Sequence, residues 1–204
     1  MNSKLIKIVA LAASAGLSGV AFAHSITQTG STAFSSFSAG FAHPFGGLDH
    51  LAAMLAVGLW SALTARRAGS DLLWAPAGFM ALLFAGALAG LTGSNLATAA
   101  VEPMIAASLL VTGLLVLSRW RLPGLMAAAL VGIFAIFHGL AHGQELAGHS
   151  AAGATLAGMM LATAVLHSTG IGLGWALRQT NQWPSRAAGA SVALLGLTLL
   201  TRLA

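Results

Sequence analysis

From residue 46 onward the chain alternates long apolar runs with short polar connections, and the runs are close to the ~20 residues a helix needs to cross ~30 Å of hydrocarbon. Hydropathy and punctuation predict six helical spans, at residues 46–65, 72–91, 97–118, 123–142, 152–177 and 185–203. Before them, MNSKLIKIVALAASAGLSGVAFA combines Lys4 and Lys7, an apolar core and the A-x-A site Ala21-Phe22-Ala23. That order is expected of a cleavable secretory signal peptide over residues 1–23, the alternative being an uncleaved first helix. Cleavage would leave His24 as the new N-terminus, where amine and imidazole together can chelate a metal. Residues 24–40, rich in Ser and Thr around Phe34 and Phe37, read as a short outer-surface lead or a partly re-entrant piece. The expected architecture is an all-α integral membrane protein, one domain over residues 24–204 with a bundle of six transmembrane helices.

Composition supports the membrane class. The 204 residues are 57% hydrophobic and only 6% charged, with mean hydropathy +0.87, whereas soluble domains carry about a quarter charged residues. The net charge of +5 is spread over nine basic residues scattered between apolar runs. They form no basic patch, so no nucleic-acid partner is expected and membrane lipid is the surrounding partner. There is no cysteine, which removes disulfides, thiolate metal sites and cysteine nucleophiles.

The arginines instead set topology. Arg66 and Arg67 follow the first span, Arg119 and Arg121 separate the third and fourth, and Arg178 and Arg186 separate the fifth and sixth. The alternate connections, TGSN at 92–95 and GQELAGHS at 143–150, contain no Lys or Arg. The positive-inside rule puts the arginine loops in the cytoplasm and both mature termini outside, in agreement with the signal peptide; Arg202 alone runs against the trend. Gly86 and Gly90, and the group Gly170, Gly172 and Gly174, predict close helix–helix approach.

With topology set, the ionisable residues sort by depth. His43, Asp49 and His50 stand at the outer end of the first span, Glu102 is early in the third, and His138, His142 and Glu145 close the fourth. Each costs about 2.5–3.5 kcal/mol at a bilayer centre even on lenient scales, so such residues face the bundle interior or a functional path. In FHGLAHGQE, His138, His142 and Glu145 stand at i, i+4 and i+7, one stripe of a helix that can offer two imidazoles and a carboxylate to one ion. In HPFGGLDH, Pro44, Gly46 and Gly47 predict an irregular helix start that lets His43 fold toward Asp49 and His50. Asp49 reads as a direct ligand, as the group orienting a ligating histidine, or as a helix cap. Glu102 is expected to turn inward, toward histidine or a passing cation or as a hydrogen-bonded structural carboxyl. His167 reads as an interhelical hydrogen bond before a second station; Met54, Trp60 and Phe79 read as packing.

Imidazole and carboxylate without thiolate suit Ni2+, Co2+, Zn2+ or Cu2+, and nickel and cobalt lead. No Walker motif is present, so ATP hydrolysis by that route is not expected. His43-Pro44-x-x-Gly47-x-Asp49-His50 and Phe137-His138-Gly139-x-Ala141-His142-Gly143-x-Glu145 both resemble the signatures of the HupE/UreJ family of bacterial nickel permeases, and signal peptide plus six spans is similar to that family's layout. The resemblance implies a multi-pass protein of the bacterial inner membrane that takes up nickel, with cobalt second, for hydrogenase or urease maturation proteins. The ion is then cargo, with no prosthetic group. It assigns His43, Asp49, His50, His142 and Glu145 as transport residues, and Glu102 as similar to the family's acidic residue in a middle span. The competing readings are a membrane-embedded zinc-dependent hydrolase, since three histidines and an acid can activate a zinc-bound water, and a metal-sensing or scaffolding membrane protein.

The topology gives a direct test. A reporter fused after Arg119 should be active only as a cytoplasmic reporter; periplasmic activity there would invert every depth assignment above.

Overall fold

The computed structural model describes residues 32–93 and 98–203. The expected signal peptide and His24 lie outside the described residues, as do the last two residues of the 92–95 connection. Among the described residues there are seven α-helices and no strand: α1 (Ala33–Gly46), α2 (Leu48–Thr64), α3 (Ser70–Leu91), α4 (Thr98–Ser118), α5 (Gly124–Leu146), α6 (Ala152–Leu177) and α7 (Trp183–Leu203).

Five of them, α3 to α7, are 21 to 26 residues long and apolar enough to cross a membrane, since 21 residues rise about 32 Å. The expected span 152–177 coincides with α6, and the largest difference among these five is at α5, which continues past residue 142 to Leu146.

The N-terminal end departs from expectation. Of the two expectations for residues 24–40, a surface lead or a partly re-entrant piece, the first does not hold from Ala33 onward: α1 is a regular helix whose N-terminus is closed by a capping box, in which Thr32 Oγ1 accepts from the Ser35 amide at 3.2 Å and Ser35 Oγ accepts from the Thr32 amide at 3.3 Å. Pro44 therefore lies inside α1, not at the start of the first span, and that span begins at Leu48 instead of residue 46. At 17 residues α2 is too short to pass as a span alone. It qualifies only when joined to α1 across Gly47, as one broken segment bent by 83°.

Three seams hold the helices together: α3 against α5, α4 against α7, and α6 against both α2 and α1. Bilayer interiors offer no hydrophobic force between apolar helices, so association depends on close packing, and small residues allow it. Gly86 of α3 faces the Ile136 backbone, while Gly139 and Gly143 of α5 face the backbones of Leu83 and Ala87. Gly58 of α2 and Gly170 of α6 abut each other's helices, and Gly113 and Gly189 do the same for α4 and α7. The paired positions rise together along α3/α5 and α2/α6 and run oppositely along α4/α7, the directions that successive membrane crossings require. Helix α2 is the central element: Met54, Val57, Trp60 and Leu63 are buried with Phe79 and Leu83 of α3, Val116 of α4, Val131 of α5 and Leu166 of α6. The outward surface carries Leu73, Phe84, Leu88, Leu114, Ile133, Leu161 and Leu194, an apolar face suited to acyl chains.

The arginine-bearing connections share one end of the bundle. Trp60 Nε1 at the end of α2 donates to the Trp120 carbonyl at 2.9 Å, and Arg119 Nη2 donates to Ser185 Oγ at 2.6 Å. Arg119 sits just past α4 with φ +53°, a left-handed helix terminus more often given to glycine. Burial, and then the nearby Arg186 and Arg178, push its guanidinium below its ordinary pKa, a sign that these cations gather in one place. All five tryptophans (Trp60, Trp74, Trp120, Trp175 and Trp183) belong to the same end, and all but Trp60 are exposed there, as expected of residues at a membrane interface.

The seams predict a contrast between two glycines. In Gly86→Ala the added methyl meets the α5 backbone, and overpacking of this kind costs about 1–3 kcal/mol. Thermal unfolding in detergent should show that loss. Gly172→Ala, whose methyl meets nothing within 4 Å, should melt like the parent.

Candidate metal site

The break at Gly47 turns the chain back on itself and creates the site. His43 is in the last turn of α1 and His50 in the first turn of α2; their ring centroids are 5.9 Å apart. From the other motif, α5 brings His142 to 4.9 Å from both rings. His43, His50 and His142 each offer a ring nitrogen, and the three nitrogens lie within 4.8 Å of one another. Nitrogens held at about 2.1 Å from a common ion in tetrahedral geometry stand about 3.4 Å apart, so the trio closes on an ion by drawing in by roughly an ångström.

Neighbouring groups fix the rings. Asp49 Oδ1 is 3.0 Å from His50 Nδ1; a carboxylate accepts, so Nδ1 carries the hydrogen and Nε2 has a bare lone pair. That Nε2 is buried with no hydrogen-bond partner among the described residues, as is His142 Nε2. The carboxylate–imidazole arrangement is the one that orients metal-binding histidines. Of the roles open to Asp49, orienting His50 is the one its contacts display. The site is reachable from its end of the bundle, with Asp49 31% and His50 12% exposed.

His138 lies one turn deeper on α5, its ring 5.4 Å from His50, outside the group of three and completely buried. Its Nε2 is 3.0 Å from Ser108 Oγ, and the Ser108 hydroxyl donates to the Ile105 carbonyl at 2.6 Å. A hydroxyl has one hydrogen, so Ser108 accepts from His138, leaving Nδ1 as the bare atom, again buried without a partner. Ser108 was missed in the sequence; the only signal is a polar Ser108-x3-Thr112 pair on one face of the apolar middle of α4. Glu145 is half-buried one turn beyond His142.

Glu102 is a correction. It was expected to turn inward, but it is exposed on the second turn of α4 and is not in the three-ligand group. Close to the end of the bundle that carries the histidines, its carboxylate can reach water or headgroups, so nothing forces it inside.

Glycines in the motifs now have separate physical roles. Gly139 and Gly143, each directly after a histidine, press α5 onto α3, which leaves His138 and His142 facing the interior. A Cβ on Gly47 would lie 2.7 Å from Asp49 Oδ1 and 3.2 Å from His50 Nδ1.

The helices are long and apolar enough to cross a membrane, and one end of the bundle gathers three histidine nitrogens that could hold a metal ion. Comparison with known proteins makes this specific. The sequence pattern of the HupE / UreJ protein family matches residues 11–199, and the chain is 40% identical to Protein HupE of Rhizobium leguminosarum bv. viciae over 200 residues, 97% of this chain and 98% of that one. The chain belongs to the HupE/UreJ family, a family of membrane transporters and not of enzymes, which sets the hydrolase alternative aside. No solved structure matches the chain.

Because the added methyl of Gly47→Ala forces the Asp49 carboxylate off His50, that variant should bind Ni2+ about tenfold or more weakly, the usual effect of losing an orienting partner. Gly46→Ala, which meets nothing within 4 Å, should bind normally in the same equilibrium dialysis.

Proposed function

We propose that the protein is a secondary permease that takes up divalent nickel, with cobalt as the second ion, through the histidine site at the end of the bundle opposite the arginines. In this reading the signal peptide is cleaved, residues 24–204 form one domain with α1–α2 as the first of six spans, and the protein lies in the bacterial inner membrane. Both mature termini are periplasmic, and imported nickel serves maturation proteins for nickel enzymes.

The observation that carries the reading is the set of buried ring nitrogens on His50, His138 and His142 that have no hydrogen-bond partner. An unsatisfied buried polar atom costs about 1–3 kcal/mol, and the buried hydroxyls of Ser61, Ser108, Thr112 and Thr163 are all satisfied by carbonyls. Among the described residues these three histidines bring such nitrogens to one place, where a hydrated cation can exchange water for imidazole. His43, Asp49, His50 and His142 form the mouth, with His138 beneath it and Glu145 at its rim. Glu102 remains part of the assignment only through its likeness to the family's acidic residue; its exposure suits attraction of cations to the outer face better than ligation.

The driving force needs no nucleotide. A divalent ion moving into an inside-negative compartment gains roughly 4.6 kcal/mol per 100 mV, which sustains a gradient of about a thousandfold. Three imidazoles with no thiolate also match ions that must be released again, since transfer requires ligands that do not hold too tightly.

The test is uptake of radioactive Ni2+ and Co2+ into vesicles under an imposed potential. His142→Ala should abolish uptake while its level in the membrane fraction stays that of the parent. Undiminished uptake by that variant would remove the site from the mechanism, and binding without any uptake by the parent chain would favour a metal sensor.

A further inference from the structure

Beneath the outer histidines lies a second buried imidazole for which the site described above has no use. His167, on α6, is buried, and its Nδ1 is 2.8 Å from the Met54 carbonyl of α2. A carbonyl only accepts, so Nδ1 carries the hydrogen, and Nε2 is a bare lone pair, buried with no partner among the described residues. This repeats the pattern of His50 and His138: one nitrogen anchored by an acceptor, the other left unprotonated and exposed to the interior. An interhelical hydrogen bond, which packing alone explains, would need only Nδ1.

Position strengthens the case. The Phe79 ring of α3, fully buried at mid-helix, packs against His138 at 5.7 Å and against His167 at 5.1 Å. It therefore bridges the imidazole under the mouth and the deeper one. Gly58 of α2 abuts the His167 backbone, and within the next two turns of α2, Ser61 and Thr64 enter the wall of a cavity of about 360 Å³ at the arginine end, together with Asp71, Arg66 and Arg121. Outer trio, His138, Phe79, His167 and this cavity thus follow one another along α2 from one end of the bundle to the other.

We infer that His167 is an inner station for the transported cation, which accepts it through Nε2 after it leaves His138, and that the Phe79 ring is the barrier between the two. This rests on the permease reading, and it assigns the second half of the path. Rotation of the ring would let the ion exchange one imidazole for the next without crossing bare hydrocarbon, and the closed ring keeps water and small ions out of the apolar centre.

Full-length protein in vesicles, with Ni2+ as the probe, tests it. His167→Asn keeps an amide donor for the Met54 carbonyl but has no Nε2. It should lower the maximal uptake rate roughly tenfold or more, with the half-saturating concentration within about twofold of the parent, because the outer mouth is untouched. Loss of a purely structural histidine would be rescued by Asn, so uptake at the parent rate overturns the inner station while the permease reading stands. No uptake by the parent chain ends both. Should His167→Asn fail to reach the membrane, Phe79→Ala decides: a faster downhill Ni2+ flux than the parent supports the barrier and the station beyond it, and an unchanged or slower flux overturns them.

Discussion

The right-angle break at Gly47 is the constraint on which the site depends. Were α1 and α2 one straight helix, His43 and His50 would lie seven residues and about 10 Å apart along its axis, too far to share an ion. The 83° bend folds the end of α1 across the top of α2 and places the two rings 5.9 Å apart. Irregular backbone inside a membrane is tolerated only where protein surrounds it. Here the buried Gly47 is flanked by α6 against α1 and by the remaining helices around α2, so the bundle makes the break possible and the break makes the bundle functional.

The glycine seams and the histidine pattern are two sides of one economy of space. Residues that follow His138 and His142 have no side chain, so α5 lies directly on the α3 backbone and its imidazoles project the other way, toward α2. Each of His50, His138 and His167 then meets a single acceptor, respectively a carboxylate, a hydroxyl and a backbone carbonyl. These three acceptors are different chemical groups, two of them on α2 and one on α4, yet each leaves the second ring nitrogen bare. A hydrogen bond of this type fixes the tautomer and aims the lone pair before any ion arrives.

Much of this was legible in the sequence, and the reasons differ by residue. Apolar runs bounded by arginine or glycine gave α3, α4, α6 and α7 within two residues, because length and hydropathy alone decide a membrane helix. The H-x3-H-x2-E stripe placed His138, His142 and Glu145 on one helix by periodicity. What periodicity could not give was depth within the bundle: His142 joins the trio and His138 sits below it, a distinction set by where α2 begins. Pro44 and the glycines signalled a break but not its side, and α1 proved to be a capped helix because Thr32 and Ser35 close its start. Glu102 is exposed where an inward turn was expected: an acid in an apolar run need not be buried when it stands only about one turn from its helix's beginning. Ser108 and Phe79 were invisible as partners of histidine, since their roles come wholly from tertiary contact.

The tryptophans have a practical consequence. Every indole in the chain stands at the arginine end, and the sequence has no tyrosine, so intrinsic emission is blind to the imidazole mouth unless motion travels the length of α2. Trp60 is the natural receiver: it is buried, it terminates the helix that begins beside His50, and its N–H holds the Trp120 carbonyl across the loop. The molecule thus carries its own optical gauge of whether its two faces communicate.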